Sequence, residues 1–180
     1  MNQILDIVGS YIIGGLVLLM ILGMVYFFNN RRQETVYSQL DQYSIMEVGN
    51  IIEDDLNKIG YGMSSSDGDK LVSIDSTSII FRGDLDLNKV IDTVQYSLIQ
   101  QGSNKYLQRR DYNGKVTVWT FPVKSFNLIF HTSSGGATLN KLLTKSILVK
   151  IETEDSNVDK SISQNNVGAS WQREFYPQNL

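Results

Sequence analysis

An uncharged apolar run near the start of the chain limits its fold more than any other feature. From Ile7 to Phe28, 22 residues read IVGSYIIGGLVLLMILGMVYFF. As an α-helix this run is about 33 Å long, which matches the hydrocarbon core of a bilayer. A signal peptide would have a shorter apolar core between a basic start and a cleavage site of small residues. The aromatic residues 26–28, followed by Arg31 and Arg32, suit a membrane interface. We therefore predict a membrane-spanning helix.

The same two arginines bear on orientation. Cytoplasmic flanks of membrane spans carry an excess of lysine and arginine. Arg31 and Arg32 follow the span, and the amino terminus is the only cation before it. A positive-inside count therefore leaves the C-terminal part of the chain in the cytoplasm, against an exported domain, and both orientations stay open here.

Five residues of this segment are candidates for contacts with neighbouring helices. Asp6 lies at the edge of the apolar run, where a carboxylate is costly without a partner. It either lies at headgroup level, favoured by the helix dipole, or pairs with the α-amino group of a neighbouring chain. Gly9, Gly14, Gly15 and Gly23 either let helices approach closely, mark points where the helix melts, or are ordinary membrane-helix glycines.

The helical pattern continues beyond the apolar run. Residues 29–59 contain no proline and one glycine, Gly49, and Gly60-Tyr61-Gly62 then gives a stop signal. We predict one helix over 3–59, about 85 Å long. Its second half is expected to present one apolar stripe, formed by Val36, Leu40, Tyr43, Val48, Ile52, Leu56 and Ile59. The opposite face is expected to carry Glu53, Asp54, Asp55 and Lys58.

The remainder of the chain favours β-structure. After a Ser/Asp/Gly-rich linker at 63–69, runs of β-branched and aromatic residues alternate with turn signals such as Asn113-Gly114. Val158–Ser170 is polar and expected to be loop. The predicted strands are Leu71–Ile74, Ser78–Arg82, Val90–Leu98, Tyr106–Arg110, Val116–Phe121, Phe126–Phe130 and Ser146–Glu152.

These elements predict an α+β fold in which a long N-terminal helix packs on an antiparallel β-sheet domain. We divide the chain into a membrane-spanning or filament-core half of the helix (1–28), an amphipathic half (29–62) and a β-rich domain (63–180). The long helix needs lipid or other helices around its first half and a globular partner along its second.

Composition argues against several functions. The net charge of −3 gives no basic field for nucleic acid, and the chain has no cysteine and one histidine. His131, before the loop Ser133–Gly136, is expected to be a surface or edge residue rather than a catalytic base. Trp119 and Trp171 are expected to be core or interface anchors. We expect no catalytic site, no bound metal and no cofactor.

One acidic stretch and one basic pair are candidate sites. Asp84-Leu85-Asp86-Leu87-Asn88 has the alternating acids of a calcium loop, but Lys89 and Gln95 stand where an EF-hand has glycine and glutamate. An acidic turn is the favoured interpretation, with calcium as the alternative. Arg109-Arg110 is expected to be a solvated pair of charges.

Several motifs together resemble the type IV pilin superfamily. Asn2-Gln3-Ile4-Leu5-Asp6 is similar to the start of a mature pilin, and without Met1 the acid would stand fifth, where that family has glutamate. Ile51–Gly62 (IIEDDLNKIGYG) resembles the end of the first helix in PilW-type minor pilins and in the J-type pseudopilins of type II secretion. Thr93–Leu98 followed by Leu107-Gln108-Arg109 resembles them as well. Phe175–Leu180 resembles their Pro-Arg-Asn-Leu ending.

The resemblance implies a structural subunit and not an enzyme. It implies a subunit of a pilus-like or pseudopilus-like filament, in a minor, tip or priming role, with other pilin-like chains and the membrane as partners and no nucleic acid. The chain would lie in the bacterial inner membrane before assembly and in a periplasmic or extracellular filament afterwards. In the family, the acid neutralises the amino terminus of an adjacent subunit, a role that Asp6 would take. The alternative is an exported β domain that binds a partner and is merely tethered by the helix.

Overall fold

A computed structural model describes residues 2–64, 66–112, 117–153 and 168–180. A single helix, α1 (Asn2–Asn57), leads into a region of β-structure. The helix ends in a tight turn, in which the Gly60 N–H donates to the Arg82 carbonyl at 2.8 Å. Gly60 has φ +70° and Gly62 has φ +72°, a conformation that glycine adopts without steric cost. The predicted helix and its glycine stop are thus confirmed.

The first sheet follows the chain order without a crossover. Its strands are β1 (Leu71–Asp75), β2 (Ser78–Gly83), β3 (Asp92–Gln101), β4 (Asn104–Asp111) and β5 (Thr117–Pro122). Each strand pairs antiparallel with the next, in the order β1-β2-β3-β4-β5. Most connections are short, as expected when sequential strands are neighbours in space. The longest described one, residues 84–91, joins β2 to β3.

A second sheet holds the last three strands, whereas a single sheet was expected. β6 (Ser125–His131), β7 (Ser146–Glu152) and β8 (Ser170–Phe175) pair antiparallel in that order. The chain changes sheets within two residues after β5: the Val123 N–H donates to the Lys105 carbonyl at 3.0 Å, and the Lys124 N–H donates to the Glu152 carbonyl at 2.7 Å. The backbone therefore stays hydrogen-bonded while it leaves one sheet for the other.

One hydrophobic core is shared by both sheets and the end of α1. Along the strands, alternate side chains are buried, as the period of two requires. The expected alternation of Phe126, Leu128 and Phe130 is confirmed, and all three are buried. The largest buried side chains of the core are Tyr96, Phe81, Phe126, Phe130, Ile45, Ile52, Leu56, Ile59, Ile79, Leu107, Ile147 and Ile151.

The predicted single apolar stripe on α1 is wrong. Val36, Leu40 and Tyr43 lie within about 60° of one another around the helix axis and are all exposed. Ile45 and Ile52 belong to a buried stripe about 160° away, on the opposite face. The five-residue step from Tyr43 to Val48 turns the pattern to the other side of the helix. The second half of α1 therefore carries two apolar stripes, and only one contacts the sheets.

The charged face of α1 also needs correction. Of the four residues expected to be solvated, only Asp54 is exposed. Glu53 is half-buried and ion-paired with Arg173 of β8, and Lys58 is half-buried with its Nζ 2.7 Å from the Leu85 carbonyl. Asp55 is buried, because its position borders the buried stripe rather than the solvent face.

The seven predicted strands are confirmed as β1–β7, with ends that differ by up to three residues. β8 was not predicted. The expected turn at Asn113-Gly114 lies outside the described residues, as does most of the expected loop at Val158–Ser170. The loop at Ser133–Gly136 is confirmed as a turn after β6.

Candidate functional site

Residues 7–28 of α1 form an apolar surface that the rest of the described chain does not cover. Every large hydrophobic residue from Ile7 to Phe28 is exposed, with values between 49% at Val17 and 79% at Tyr11. By length and composition, α1 is long and apolar enough to cross a membrane. A contiguous exposed apolar surface of this size marks contact with lipid or with other protein chains.

The four candidate glycines lie on this surface with free space around them. A Cβ atom built at Gly9, Gly14, Gly15 or Gly23 would meet nothing within 4 Å. Gly9 and Gly23 lie about 40° apart around the axis, and Gly14 lies about 140° from Gly9. The four glycines therefore do not form one narrow stripe. The backbone at Asp6 belongs to α1, but its side chain lies outside the described side chains.

Beyond the apolar run, the described side chains of α1 remain exposed or half-buried for about four more turns. Among the described side chains of the helix, Ile45 is the first that is fully buried, so residues 29–44, about 24 Å of helix, lie between the apolar run and the sheets. This stretch carries the second apolar stripe. Val36, Leu40 and Tyr43 are 53%, 54% and 72% exposed. We call these three residues the outer stripe.

At its other end, α1 is held to the five-stranded sheet by a buried ionic cluster. Asp55 on α1 accepts a hydrogen bond from the Tyr96 hydroxyl of β3 at 2.6 Å. Arg109 on β4 donates from its Nε to Asp55 at 2.7 Å and lies 3.9 Å from Asp111. The side chains of Arg109 and Asp55 are 14% and 8% exposed. The expectation that Arg109 is a solvated charge is thus wrong.

The surroundings of this cluster set the protonation states of two groups. Burial raises the pKa of Tyr96 well above its usual value, and the neighbouring Asp55 carboxylate raises it further. For Arg109, burial alone would lower the pKa, but the hydrogen bond and the charge of Asp55 outweigh it, so the pKa rises. Tyr96 therefore donates its proton to a carboxylate that also faces a fixed cation, and the cluster acts as a structural tie.

Trp171 provides a second tie between α1 and the sheets. A Cβ on Gly49 would lie 2.6 Å from Trp171 Cε2, so only glycine leaves room for the indole against the helix. Trp171 packs against the core and lies 6.1 Å from Phe175 between ring centroids. Arg173 on the same strand pairs with Glu53 of α1. The expectation that Trp171 anchors the core or an interface is confirmed by this packing, as it is for the partly buried Trp119.

His131 is an edge residue, as expected. It closes β6, an outer strand of the second sheet, and its Nδ1 lies 2.9 Å from the Glu174 carboxylate. Hydrogen bonds from Ser146, then His131 and Tyr176, lower the pKa of Glu174. The same carboxylate raises the pKa of Tyr176. This group of polar side chains ties β6, β7 and the chain after β8 together.

The acidic stretch after β2 is compact. One carboxylate oxygen from each of Asp84, Asp86 and Asp92 lies within 4.8 Å of the other two. Leu87 and Lys89 between them have φ of 63° and 70°, a left-handed conformation that is unusual for residues other than glycine. We call this segment, residues 84–92, the acidic loop.

Comparison with known proteins identifies no relative: no family model, no curated protein and no solved structure matches this chain.

Proposed function

We propose that this chain is a structural subunit of a type IV pilus-like or type II secretion pseudopilus-like filament, assembled through α1. The apolar residues of 7–28 would lie in the membrane before assembly and among the helices of other subunits afterwards. Transfer between these surroundings has little hydrophobic cost, because lipid tails and packed apolar side chains are alike in polarity.

The observation that carries the proposal is the outer stripe. A helix that only tethers a domain needs about 33 Å to cross the hydrocarbon core, and the segment that follows can be wholly polar. Here the next 24 Å or so of helix carries Val36, Leu40 and Tyr43 on the face opposite to the sheets. Three exposed apolar residues at helical spacing are typical of a surface that packs on another helix.

The position of the outer stripe also suits a filament. It faces away from the domain, so a neighbouring helix can reach it without displacing a strand. It is joined to the apolar run by an unbroken helix through Asn29–Arg32. One subunit would thus contact its neighbours along about 56 Å of helix, from Ile7 to Ser44. The resemblance to PilW-type and J-type chains supports a minor, tip or priming role.

Asp6 has a defined part in this proposal. Within a bundle of apolar helices an unpaired carboxylate or ammonium group is costly, and a pair between two chains removes most of that cost. Asp6 would neutralise the amino terminus of the adjacent subunit and so fix the register between subunits.

The test substitutes the outer stripe. Val36→Ser, Leu40→Ser and Tyr43→Ser, combined in one chain, should lower the amount of protein recovered in sheared extracellular fibres at least tenfold while the amount in the membrane stays at the wild-type level. The control is Glu47→Ser with Asn50→Ser, two exposed polar positions near the same face of α1, which should assemble normally.

A second variant separates assembly from tethering. Asp6→Ala should remain in the membrane and be lost from the fibres. Asp6→Glu, which keeps a carboxylate at this position, should assemble like the wild type. If the outer-stripe variant and Asp6→Ala both assemble like the wild type, the filament proposal is wrong and the tethered binding domain is favoured. The same holds if the wild type appears neither in sheared extracellular fibres nor in periplasmic filaments. Labels found only at fibre ends would support the tip role, and labels along the shaft would refute it.

A further inference from the structure

The acidic loop brings three carboxylates together at one end of the first sheet. Asp84 directly follows β2, Asp92 opens β3, and Asp86 lies in the exposed part of the loop. One oxygen from each lies within 4.8 Å of the other two. Oxygens that share a calcium ion at about 2.3–2.6 Å can be at most about 5 Å apart, so this spacing is compatible with one shared cation.

The two buried members of the group each have an oxygen without a donor. Asp84 is 4% exposed and Asp92 is 2% exposed. Their Oδ2 atoms accept hydrogen bonds from the backbone N–H groups of Lys89, at 2.9 Å, and Leu85, at 2.8 Å. Their Oδ1 atoms are buried and have no hydrogen-bond partner among the described residues. A buried acceptor without a donor is rare in proteins and indicates a missing partner such as an ion.

Charge points to the kind of partner that is missing. Among the described residues, no lysine, arginine or histidine forms an ion pair with Asp84, Asp86 or Asp92. The nearby Lys58 ammonium is engaged by Asp54 and the Leu85 carbonyl. The three carboxylates thus lie together without a described cation, and two of them are buried, so a bound cation would remove the cost of placing them there.

We propose that Asp84, Asp86 and Asp92 bind one calcium ion at the end of the first sheet. Carboxylate oxygens are the preferred ligands of hard cations, and the group contains neither histidine nor cysteine. Calcium is favoured over magnesium because it tolerates irregular geometry, whereas magnesium requires a near-ideal octahedron. The exposed side of Asp86 leaves room for water ligands.

The ligand set differs from that of an EF-hand, which is why spacing alone argued against calcium. The third ligand is Asp92, at the start of the next strand, rather than a residue of the alternating stretch. The side-chain oxygen of Asn88, the atom that could bind a cation, instead accepts a hydrogen bond from the Val90 N–H at 2.7 Å. The Asp84 N–H also donates to the Tyr61 carbonyl at 2.9 Å. A bound ion would therefore hold the β2–β3 connection against the turn that follows α1.

The test uses the full chain in non-ionic detergent, stripped with a chelator and titrated with calcium in a calorimeter. We expect one site with Kd of about 10⁻⁴–10⁻³ M, the range of extracellular calcium modules. Asp86→Asn, at an exposed position, should weaken binding about tenfold, and Asp92→Asn should abolish it, since affinity depends on the number of charged ligands. Asp75→Asn removes an exposed acid outside the group and should bind like the wild type.

Near-UV circular dichroism in chelator checks that each variant is folded. If Asp92→Asn does not fold, the calcium affinities of Asp86→Asn and Asp75→Asn still test the proposal. The proposal is overturned if the wild type gives no binding heat up to about 10 mM calcium, above the range of known extracellular sites, or if Asp86→Asn and Asp75→Asn bind alike. Equal affinity for magnesium would overturn the choice of calcium.

Discussion

Substitution of Asp55 by alanine should destabilise the protein far more than the same change at Asp54. The two residues are adjacent in sequence but about 100° apart around α1. Asp55 is buried and accepts hydrogen bonds from Tyr96 and Arg109, whereas the Asp54 side chain is 66% exposed and pairs with Lys58 in the turn that follows α1. The pair therefore compares one chemical change in two environments.

The magnitude follows from what Asp55→Ala leaves behind. Removing one partner of a buried ion pair costs about 3–5 kcal/mol, because the other charge stays buried. The low end applies here, since Arg109 keeps Asp111 at 3.9 Å and some exposure. We expect a loss of about 3 kcal/mol, which lowers the urea midpoint by about 1.5 M for an m value of about 2 kcal/mol/M. Asp54→Ala removes an exposed pair, worth about 0.3–0.5 kcal/mol, and shifts the midpoint by about 0.2 M.

Tryptophan fluorescence during urea unfolding in non-ionic detergent measures both variants. Trp119 is a suitable reporter because its ring lies 6.3 Å from that of Tyr96, edge to face. Tyr96→Phe alone should cost about 1.5 kcal/mol, and the cost should largely vanish in the Asp55→Ala background, since the two changes remove the same hydrogen bond. Equal midpoints for Asp54→Ala and Asp55→Ala, or additive costs for Tyr96→Phe and Asp55→Ala, would refute the reasoning.

Two further predictions concern the second sheet. Gly49→Ala should lower the urea midpoint because the new Cβ meets Trp171, although alanine favours the helix over glycine by about 1 kcal/mol. Gly15→Ala, where a Cβ has open space, should not lower the midpoint. Equal effects of the two substitutions would contradict the packing of Trp171 on Gly49. Glu174 has a lowered pKa, mainly through Ser146, so its stabilisation is present above pH 4.5 and is lost as the pH falls through the folded value. Glu174→Gln should flatten the fall in urea midpoint between about pH 5 and pH 3, and an unchanged slope would contradict this.

Local sequence signals predicted most of the secondary structure. The absence of proline and the Gly60–Gly62 stop fixed α1 within two residues at its C-terminal end. Strands β1–β7 have β-branched or aromatic residues that alternate with polar ones, and this pattern is local. β8, reading SWQREF, has little of it, and its strand conformation depends on pairing with β7. Such pairing across a long stretch of sequence is not visible in the segment itself.

The candidate sites were predicted less well, because they depend on the positions of residues around the helix axis and on partners that are distant in sequence. A five-residue step between apolar positions turns a helical stripe by about 140°, so the residues expected to form one stripe of α1 form two. The same rotation of about 100° per residue places Asp55 beside the buried stripe. This position could have been read from the sequence, but Asp55 was assigned to the opposite face because it is charged. The acidic loop shows the opposite case: its third member, Asp92, is brought to Asp84 by the pairing of β2 with β3, which spacing along the chain does not reveal.

The two stripes of α1 explain how one helix can be both rigidly attached and open to partners. On the inner face, Ile45 and Ile52 lie in the core, while Asp55 and Gly49 fix the helix to the first and second sheets. Since these contacts all lie in the last four turns or so, they set the direction of α1 without covering its outer face. A partner helix on the outer stripe therefore competes with no contact of the folded domain.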